Sequence, residues 1–446
     1  MTAASPRFTT GTAPGAHPQA GHGIELQTRP LEFLRSLHKH GDLVEIMMGP
    51  EPAYVVCHPD LLHQVLTQDS LYDKGGVFYD KVRDTVGNGL GNCPHADHRR
   101  QRRLVQPAFT PAQLAQYGPA IEQEIAALTG SWQPGEVIDV YPALHGLYLR
   151  ILARTVFSTQ VGDETVERIQ VASKATLTMM VRRMSEQPGA EPTDEDRAYD
   201  EAHDFLKGEV DRLIAECRAG GADHGGLLSL LVNGRDDDTG TSLTDHEIRD
   251  HVINLLLAGS ETPAALVTWA LVHLAEHPAA ASRLFAEIDE VIGDRTPTLA
   301  DVPALTYTSQ FLTETLRLYP PAWMVTRITT APAEIAGRTL PEGTTVVFSP
   351  LAVHHRADVY EQPEAFEPDR WLPGRATTPR RTAFATFGGG ARRCIGDHYT
   401  MNETALTLAT IAARWRARVA PGADVAPTTA SGSLRPVNFL VELDPR

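Results

Sequence analysis

Phe387-Gly388-Gly389-Gly390-Ala391-Arg392-Arg393-Cys394-Ile395-Gly396 is the stretch on which the reading of this chain turns. It sets one cysteine behind a run of glycines and beside two arginines, and a segment of helical period, Met401 to Arg416, begins shortly afterwards. Glycine lets backbone pass close beneath a flat ligand and adopts positive φ where a turn demands it. A thiol at a helix N-terminus faces unpaired N–H groups and the positive end of the dipole, which favour the thiolate. Arg392 and Arg393 act in the same direction. Two other readings fit the bare residues: a buried structural cysteine, the commonest fate of an unpaired thiol, and a phosphate-cradling glycine loop. The second lacks the strand–GxxxxGK[ST]–helix context that such a loop needs.

Composition bounds the choice. The 446 residues carry 40 basic and 56 acidic side chains, net −16, which argues against general nucleic-acid binding. Length alone admits about three domains of ordinary size, yet no polar linker and no internal repeat divides the sequence. The expectation is a flexible tail over residues 1–20 and one large helix-rich domain over 21–446. Cys57, Cys93, Cys217 and Cys394 are scattered, without a CxxC pair or a Cys/His cluster, so neither a zinc site nor a disulfide framework is expected. The first twenty residues, rich in Ala, Thr, Pro and Gly, have no apolar core, which predicts neither signal peptide nor membrane anchor and a soluble, cytoplasmic protein.

Along the chain, Asp42-Leu-Val-Glu-Ile-Met-Met and Pro52-Ala-Tyr-Val-Val-Cys flank Gly49-Pro50 and read as a hairpin, followed by a helix over 58–68. Residues 71–94 read as a long glycine-containing loop with Phe78, Tyr79, Val82 and Val86. In His95 to Phe109, His98 and Arg102 are four apart and share a helix face; a solvated basic helix is the plain alternative. Residues 121–157 and 166–184 have helical period, and 185–200 reads as the clearest interior loop. Thr244-Asp-His-Glu247 is a capping box opening the longest helix, Asp245 to Glu276, apolar nearly all round and hence a core helix. Ala258-Gly259-Ser260-Glu261-Thr262-Pro263 interrupts it with polar residues that are costly there unless used. Pro263 has no N–H for the Gly259 carbonyl, so the helix should open at Gly259 beside Thr262, or simply kink there. Glu314 and Arg317, three apart, precede Tyr319-Pro-Pro, and Phe366-Glu-Pro-Asp-Arg370-Trp lies downstream.

Together these stretches resemble the cytochrome P-450 superfamily over essentially Gly21 to the C-terminus. F-x-x-G-x-R-x-C-x-G is similar to its haem-ligand loop, A-G-x-[DE]-T to its oxygen-activation motif, and E-x-x-R with a later arginine to its structural triad. The resemblance implies a mainly α fold with a small β-rich lobe, a triangular helical prism holding haem b between the long helix and the cysteine loop. Cys394 is then the proximal thiolate and the iron's protein ligand, framed by Phe387, Gly390, Arg392 and Gly396. His98, Arg102 and Arg327 would meet haem propionates, and Ala258 and Gly259 would border the haem. Glu261 and Thr262 would deliver protons to iron-bound oxygen. Glu314, Arg317 and Arg370 would brace the cysteine loop.

The resemblance also implies O2 as co-substrate and electrons from NAD(P)H through partner proteins, since no flavin or NAD fingerprint occurs. Arg99, Arg100, Arg103 and Arg393, with the arginines between Arg370 and Arg393, read as a positive patch for an acidic ferredoxin served by its reductase. The family pocket maps onto Phe78, Val86, Met180, Leu257, Ala258, Trp323, Met324, Val325 and Leu434, overwhelmingly apolar. The cysteine loop and Trp323-Met-Val-Thr-Arg327 are similar to those of bacterial terpene-oxidising members, so a sesquiterpene or another compact polycyclic terpenoid hydrocarbon is the expected substrate, with a polyketide macrolide as the alternative. A peroxide-driven enzyme and a non-catalytic haem sensor or carrier are the rival functions; neither needs Glu261-Thr262. A monomer is expected.

Overall fold

The computed structural model describes residues 8–157, 163–185, 193–220, 226–236, 238–375, 381–429 and 432–446. The chain divides into two compact units, one built from the residues up to Asp80 with Leu316–Cys394, the other from Lys81–Thr315 with Ile395–Arg446.

The first unit is organised by a six-stranded sheet. Leu43–Met48 and Glu51–Val56 form the expected hairpin, with Gly49 at φ 64 in its turn. Thr10–Thr12 lies parallel to Leu43–Met48 on one side. On the other side Thr345–Phe348 runs parallel to Glu51–Val56 and is followed by Val325–Thr329 and Tyr72–Asp73, both antiparallel to their neighbours. Successive strand residues face opposite sides. Leu43, Val56, Val346 and Phe348 therefore pack with Leu62, Val65 and Tyr72, while Val44, Ile46, Val55 and Val347 pack with Leu34 and Leu37. Each such side chain contributes about 1.5–3 kcal/mol on burial, and because both faces are covered the strands read as near-continuous apolar runs.

The second unit is helical. Asp245–Glu276 runs through it and packs against helices Val140–Phe157, Asp194–Arg218 and Asp397–Arg414. Its capping box is formed: Glu247 N–H donates to Thr244 Oγ1 at 3.2 Å, and Thr244 N–H to Glu247 Oε2 at 2.8 Å. This helix is long and apolar enough to cross a membrane, but 78% of its most apolar window is buried inside the protein. Trp269, on its second half, donates from Nε1 to the Leu434 carbonyl at 3.1 Å. Two small sheets complete the unit: Trp415–Val419, Leu440–Pro445 and Val137–Asp139, and the hairpin Asp424–Thr428 with Arg435–Asn438.

Two expectations are corrected. Residues 71–94 are not one loop: Tyr72–Asp73 joins the sheet and Gly76–Val86 is a helix. Tyr79, Val82 and Val86 are buried at helical spacing, a pattern masked in the sequence by glycines on either side. The last helix spans Asp397–Arg414 rather than 401–416, because Trp415 and Arg416 pair with Pro445 and Asp444 as strand. Of the interior loop read at 185–200, residues 186–192 lie outside the described residues, and a second capping box at Thr193 opens the helix Asp194–Arg218.

Candidate functional site

The cysteine loop belongs to the first unit. Cys394 N–H donates to the Phe387 carbonyl at 2.9 Å, and Gly388 N–H to Ala385 at 2.9 Å, so the strip folds back on itself. Gly388 and Gly390 hold φ of 68 and 62. At Gly390 a Cβ would sit 2.1 Å from the Leu66 carbonyl oxygen, so glycine is required there by space as well as by φ. Cys394 is exposed, whereas Cys57 and Cys93 are buried and burial pushes the Cys57 thiol up to about 12. A small apolar thiol left open to the outside is unusual. It fits a group that docks onto sulfur.

Helix Thr306–Leu318 carries Glu314 and Arg317, both fully buried. The Arg317 guanidinium donates to the carbonyls of His354 (3.0 Å), Pro363 (2.7 Å) and Ala365 (3.0 Å). Arg370, also buried, donates to the Glu361 carbonyl at 2.7 Å and pairs with Glu367 at 3.5 Å. Both guanidinium groups lie over the Tyr360 ring, at 5.3 and 5.9 Å. The two arginines thus hold the backbone of residues 354–365.

His354 extends that hold to the cysteine loop. Its Nε2 accepts from Ala385 N–H at 3.2 Å, so its Nδ1 carries the proton and donates to the Arg317 carbonyl at 2.9 Å. Burial pushes this imidazole down to about 3, which keeps it neutral in that tautomer. Thr386 Oγ1 adds a bond to the Leu316 carbonyl at 3.3 Å.

Arg327, on strand Val325–Thr329, is 5% exposed. It donates to Tyr79 Oη at 3.2 Å and to the Thr326 carbonyl at 2.7 Å, and lies 5.2 Å from the Phe348 ring centroid. No carboxylate pairs with it among the described residues. A buried cation without an anion is costly, and a bound carboxylate such as a haem propionate would complete it. Arg392 differs from expectation: its side chain is 2% exposed and lies 2.8 Å from Asp73 and 3.5 Å from Asp69. Its charge is therefore met within the chain rather than left to favour the thiolate. Trp323 and Met324 are half-buried against the Val44–Val347 cluster, and Val325 against the Leu43–Phe348 cluster.

In the second unit the long helix has one open window. Ala258 is exposed and Gly259 and Thr262 are half-buried, in a helix whose neighbouring positions are buried. Gly259 lies close to Leu152, where a Cβ would come within 3.1 Å of its Cδ1. The helix continues through Pro263, so the opening expected at Gly259 is a local loss of one donor rather than a break. Thr262 Oγ1 donates to the Ala258 carbonyl at 2.7 Å, which leaves the hydroxyl oxygen able to accept.

Glu261 is buried, and the Tyr141 hydroxyl donates to its Oε1 at 3.4 Å. The Arg435 guanidinium lies 4.5 Å over the Tyr141 ring, and the His145 ring is stacked with that of Tyr141, 5.9 Å between centroids and 10° between planes. His145 also meets Ser260 Oγ at 3.3 Å, and burial holds its imidazole down to about 4. Tyr141, His145, Arg435 and His354 were not expected from sequence, and neither was the bond that Tyr79, read there as a loop residue, accepts from Arg327. Tyr141, His145, Tyr79 and His354 each meet a motif residue far away along the chain, which no local spacing announces, and Arg435 lies against Tyr141.

Other predicted residues take varied places. His98 is buried on helix His95–Val105, and Arg102 Nε bonds Gln106 at 2.8 Å. The free positive patch is not what forms on that helix. Arg100 bonds Glu247 at 2.6 Å, Arg103 bonds Asp236 at 2.7 Å and Asp238 at 2.5 Å, and Arg99 lies 4.0 Å from Asp238. The hydrogen bonds from Arg103 hold the Asp236 carboxyl down at about 2. Arg393 is exposed on the cysteine loop. Gly396 precedes helix Asp397–Arg414 as its N-cap. Phe78 is half-buried against Tyr79, Val86, Leu257 and Leu434 are buried, and the Met180 side chain lies outside the described residues.

The sequence matches the family description "Cytochrome P450" over residues 12–443. It is 46% identical over 441 residues to pentalenene oxygenase of Streptomyces avermitilis, covering 98% of each chain. It is 45% identical to cyclooctat-9-en-7-ol 5-monooxygenase and 44% identical to cyclooctatin synthase, both of Streptomyces melanosporofaciens, covering 93% of this chain and 91% of each relative. The crystal structure of the cytochrome P450DA haem domain superposes with a TM-score of 0.89 at 24% identity over 98% of both chains, which speaks to the fold. Family match, full-length relatives and fold agree, and the chain belongs to the cytochrome P450 family, monooxygenases that use haem b, O2 and electrons passed from NAD(P)H by partner proteins.

Proposed function

We propose that this chain oxygenates a terpenoid, a compact and largely hydrocarbon molecule, in secondary metabolism. The observation that carries the reading is its full-length similarity to relatives named for cyclic terpenoid oxidation. When bound, the haem supplies the oxidising power, and its thiolate ligand sets its electronics. Cys394 is the residue we assign as that ligand, on its exposure and on the folded-back glycine strip. Arg327 is assigned to a propionate because it is buried without a carboxylate partner among the described residues. His98 and Arg102 are assigned the same task by their family motif.

Proton handling falls to Glu261 and Thr262. Thr262 Oγ1 rests on the Ala258 carbonyl. To donate outward it exchanges that bond for another, at a net cost of about 1 kcal/mol. Glu261 is oriented by the Tyr141 hydroxyl and supplies the exchangeable proton behind it. Electrons come from outside the chain, and a small acidic ferredoxin is the partner we infer, with Arg393 as the exposed cation on the cysteine loop.

The test measures product formed per NADPH consumed with a surrogate ferredoxin and reductase, using a panel of cyclic terpenes and macrolides. Terpenes should give binding spectra and hydroxylated product, and macrolides neither. Thr262→Ala should keep haem content and substrate binding but lower the product ratio, since a lost acid–base group costs about two to four orders of magnitude in a proton-limited step. Macrolide turnover without terpene turnover would overturn the substrate, and an unchanged ratio in Thr262→Ala would overturn the proton role.

A further inference from the structure

The last turn of the long helix holds a cluster that the haem chemistry leaves unused. His273 and His277 are four apart and Glu276 lies between them, so all three project from neighbouring positions of one turn. One ligand atom from each lies within 4.8 Å of the other two. The two imidazole centroids are 5.4 Å apart with planes tilted by 43°.

We propose that His273, Glu276 and His277 bind a divalent transition-metal ion of the zinc class. Two imidazoles and a carboxylate are a donor set that suits Zn2+, Ni2+ and Cu2+, whereas Mg2+ and Ca2+ ask for oxygen alone. Zinc bonds to nitrogen and carboxylate oxygen at about 2.0–2.2 Å, so the present separations close by modest side-chain rotation. Burial is graded in the way an ion site needs: His273 is 3% exposed, His277 half-buried and Glu276 exposed. The buried imidazole anchors, and the carboxylate side admits the ion and leaves a position for water. The place also favours a cation, because the helix ends here with its carbonyls and the negative end of its dipole. Pro278 opens the next helix, Pro278–Val291, directly after His277. A bound ion would therefore pin the end of the long helix where the chain turns into the next one.

The test uses untagged, haem-loaded protein stripped with chelator. Zn2+ is titrated against a chromophoric competitor, and the zinc X-ray absorption edge of the one-ion complex is recorded. The expected result is one tight zinc ion per chain with imidazole scatterers at about 2.0 Å. Glu276→Gln, at an exposed position, and His277→Ala, at a half-buried one, should each weaken it at least about tenfold, since even supporting partners of a metal ligand cost 10–100-fold. Haem content and the ferrous carbonyl spectrum should not change in either variant. His273→Gln adds a third arm, with folding followed by circular dichroism. No tight ion in the wild type, or zinc affinity unchanged from wild type in Glu276→Gln and His277→Ala, would overturn the site.

Discussion

Replacing Arg317 by methionine keeps most of the side-chain volume and removes the guanidinium that holds residues 354–365. At least three hydrogen bonds are lost, among them those to the carbonyls of His354, Pro363 and Ala365. Hydrogen bonds from a charged donor contribute about 1.5–3 kcal/mol each, and each carbonyl left dry costs about 1–3 kcal/mol. Because one side chain makes all three, the terms overlap, and the lower figures give about 4–5 kcal/mol. Domains of this kind hold only about 5–15 kcal/mol in total, so the variant should fold weakly if at all. Arg317→Lys keeps the charge but replaces the planar fork by a point donor, and should fall in between. Urea unfolding followed by tryptophan fluorescence reads the stability, and the Soret band reads haem retention. A methionine variant within about 0.5 kcal/mol of wild type, the range of inert surface changes, would refute the account of this arginine as a backbone clamp.

Glu403, on helix Asp397–Arg414, is 1% exposed, and burial pushes its carboxyl well above the usual range, with the neighbouring Tyr399 hydroxyl offsetting this in part. The folded state thus keeps a proton that the unfolded chain releases above the ordinary glutamate value of 4.5, so this group's contribution is full below that pH and declines as pH rises toward the folded pKa. Glu403→Gln should raise the melting temperature at pH 7–8 and flatten its decline with pH; identical pH profiles for the two proteins would refute this. Arg393→Glu should slow reduction by an acidic ferredoxin most at low salt, where screening is weak. Arg100→Glu should instead loosen the start of the long helix by opposing Glu247, with reduction rates little changed. Stopped-flow reduction and thermal melting of the two variants separate these effects, and equal slowing by both would refute the division.

What could be read from the sequence was local. The cysteine loop, the capping box at Thr244, the hairpin around Gly49 and the Glu314–Arg317 helix each lie within a dozen or so residues, where propensity and periodicity act directly. The partners of those motifs were not legible. Tyr141 reaches Glu261 across 120 residues and Tyr79 reaches Arg327 across 248. His354 joins Arg317 to Ala385 through two ring nitrogens whose roles follow from packing alone. The arginines of helix His95–Val105 looked free because Asp236, Asp238 and Glu247 lie more than a hundred residues away. Glycines misled at 71–94, where breakers at both ends hid three buried residues at helical spacing.

The order in which the six-stranded sheet is assembled has a consequence for synthesis. Strand Glu51–Val56 finds its neighbour on one side at once, in Leu43–Met48, but its other neighbour, Thr345–Phe348, is made much later. At about 5–20 residues per second on the ribosome, the residues between Asp80 and Thr345 occupy roughly 15–50 s. Throughout that interval an apolar strand edge stands unpaired, the feature that invites pairing with another chain. Cys394 is translated later still, at the very end of this unit. A ribosome stalled anywhere between those points releases a chain with an open edge and no thiolate. Aggregation of nascent chains and failure to load haem should therefore rise together when translation of the middle of this gene is slowed.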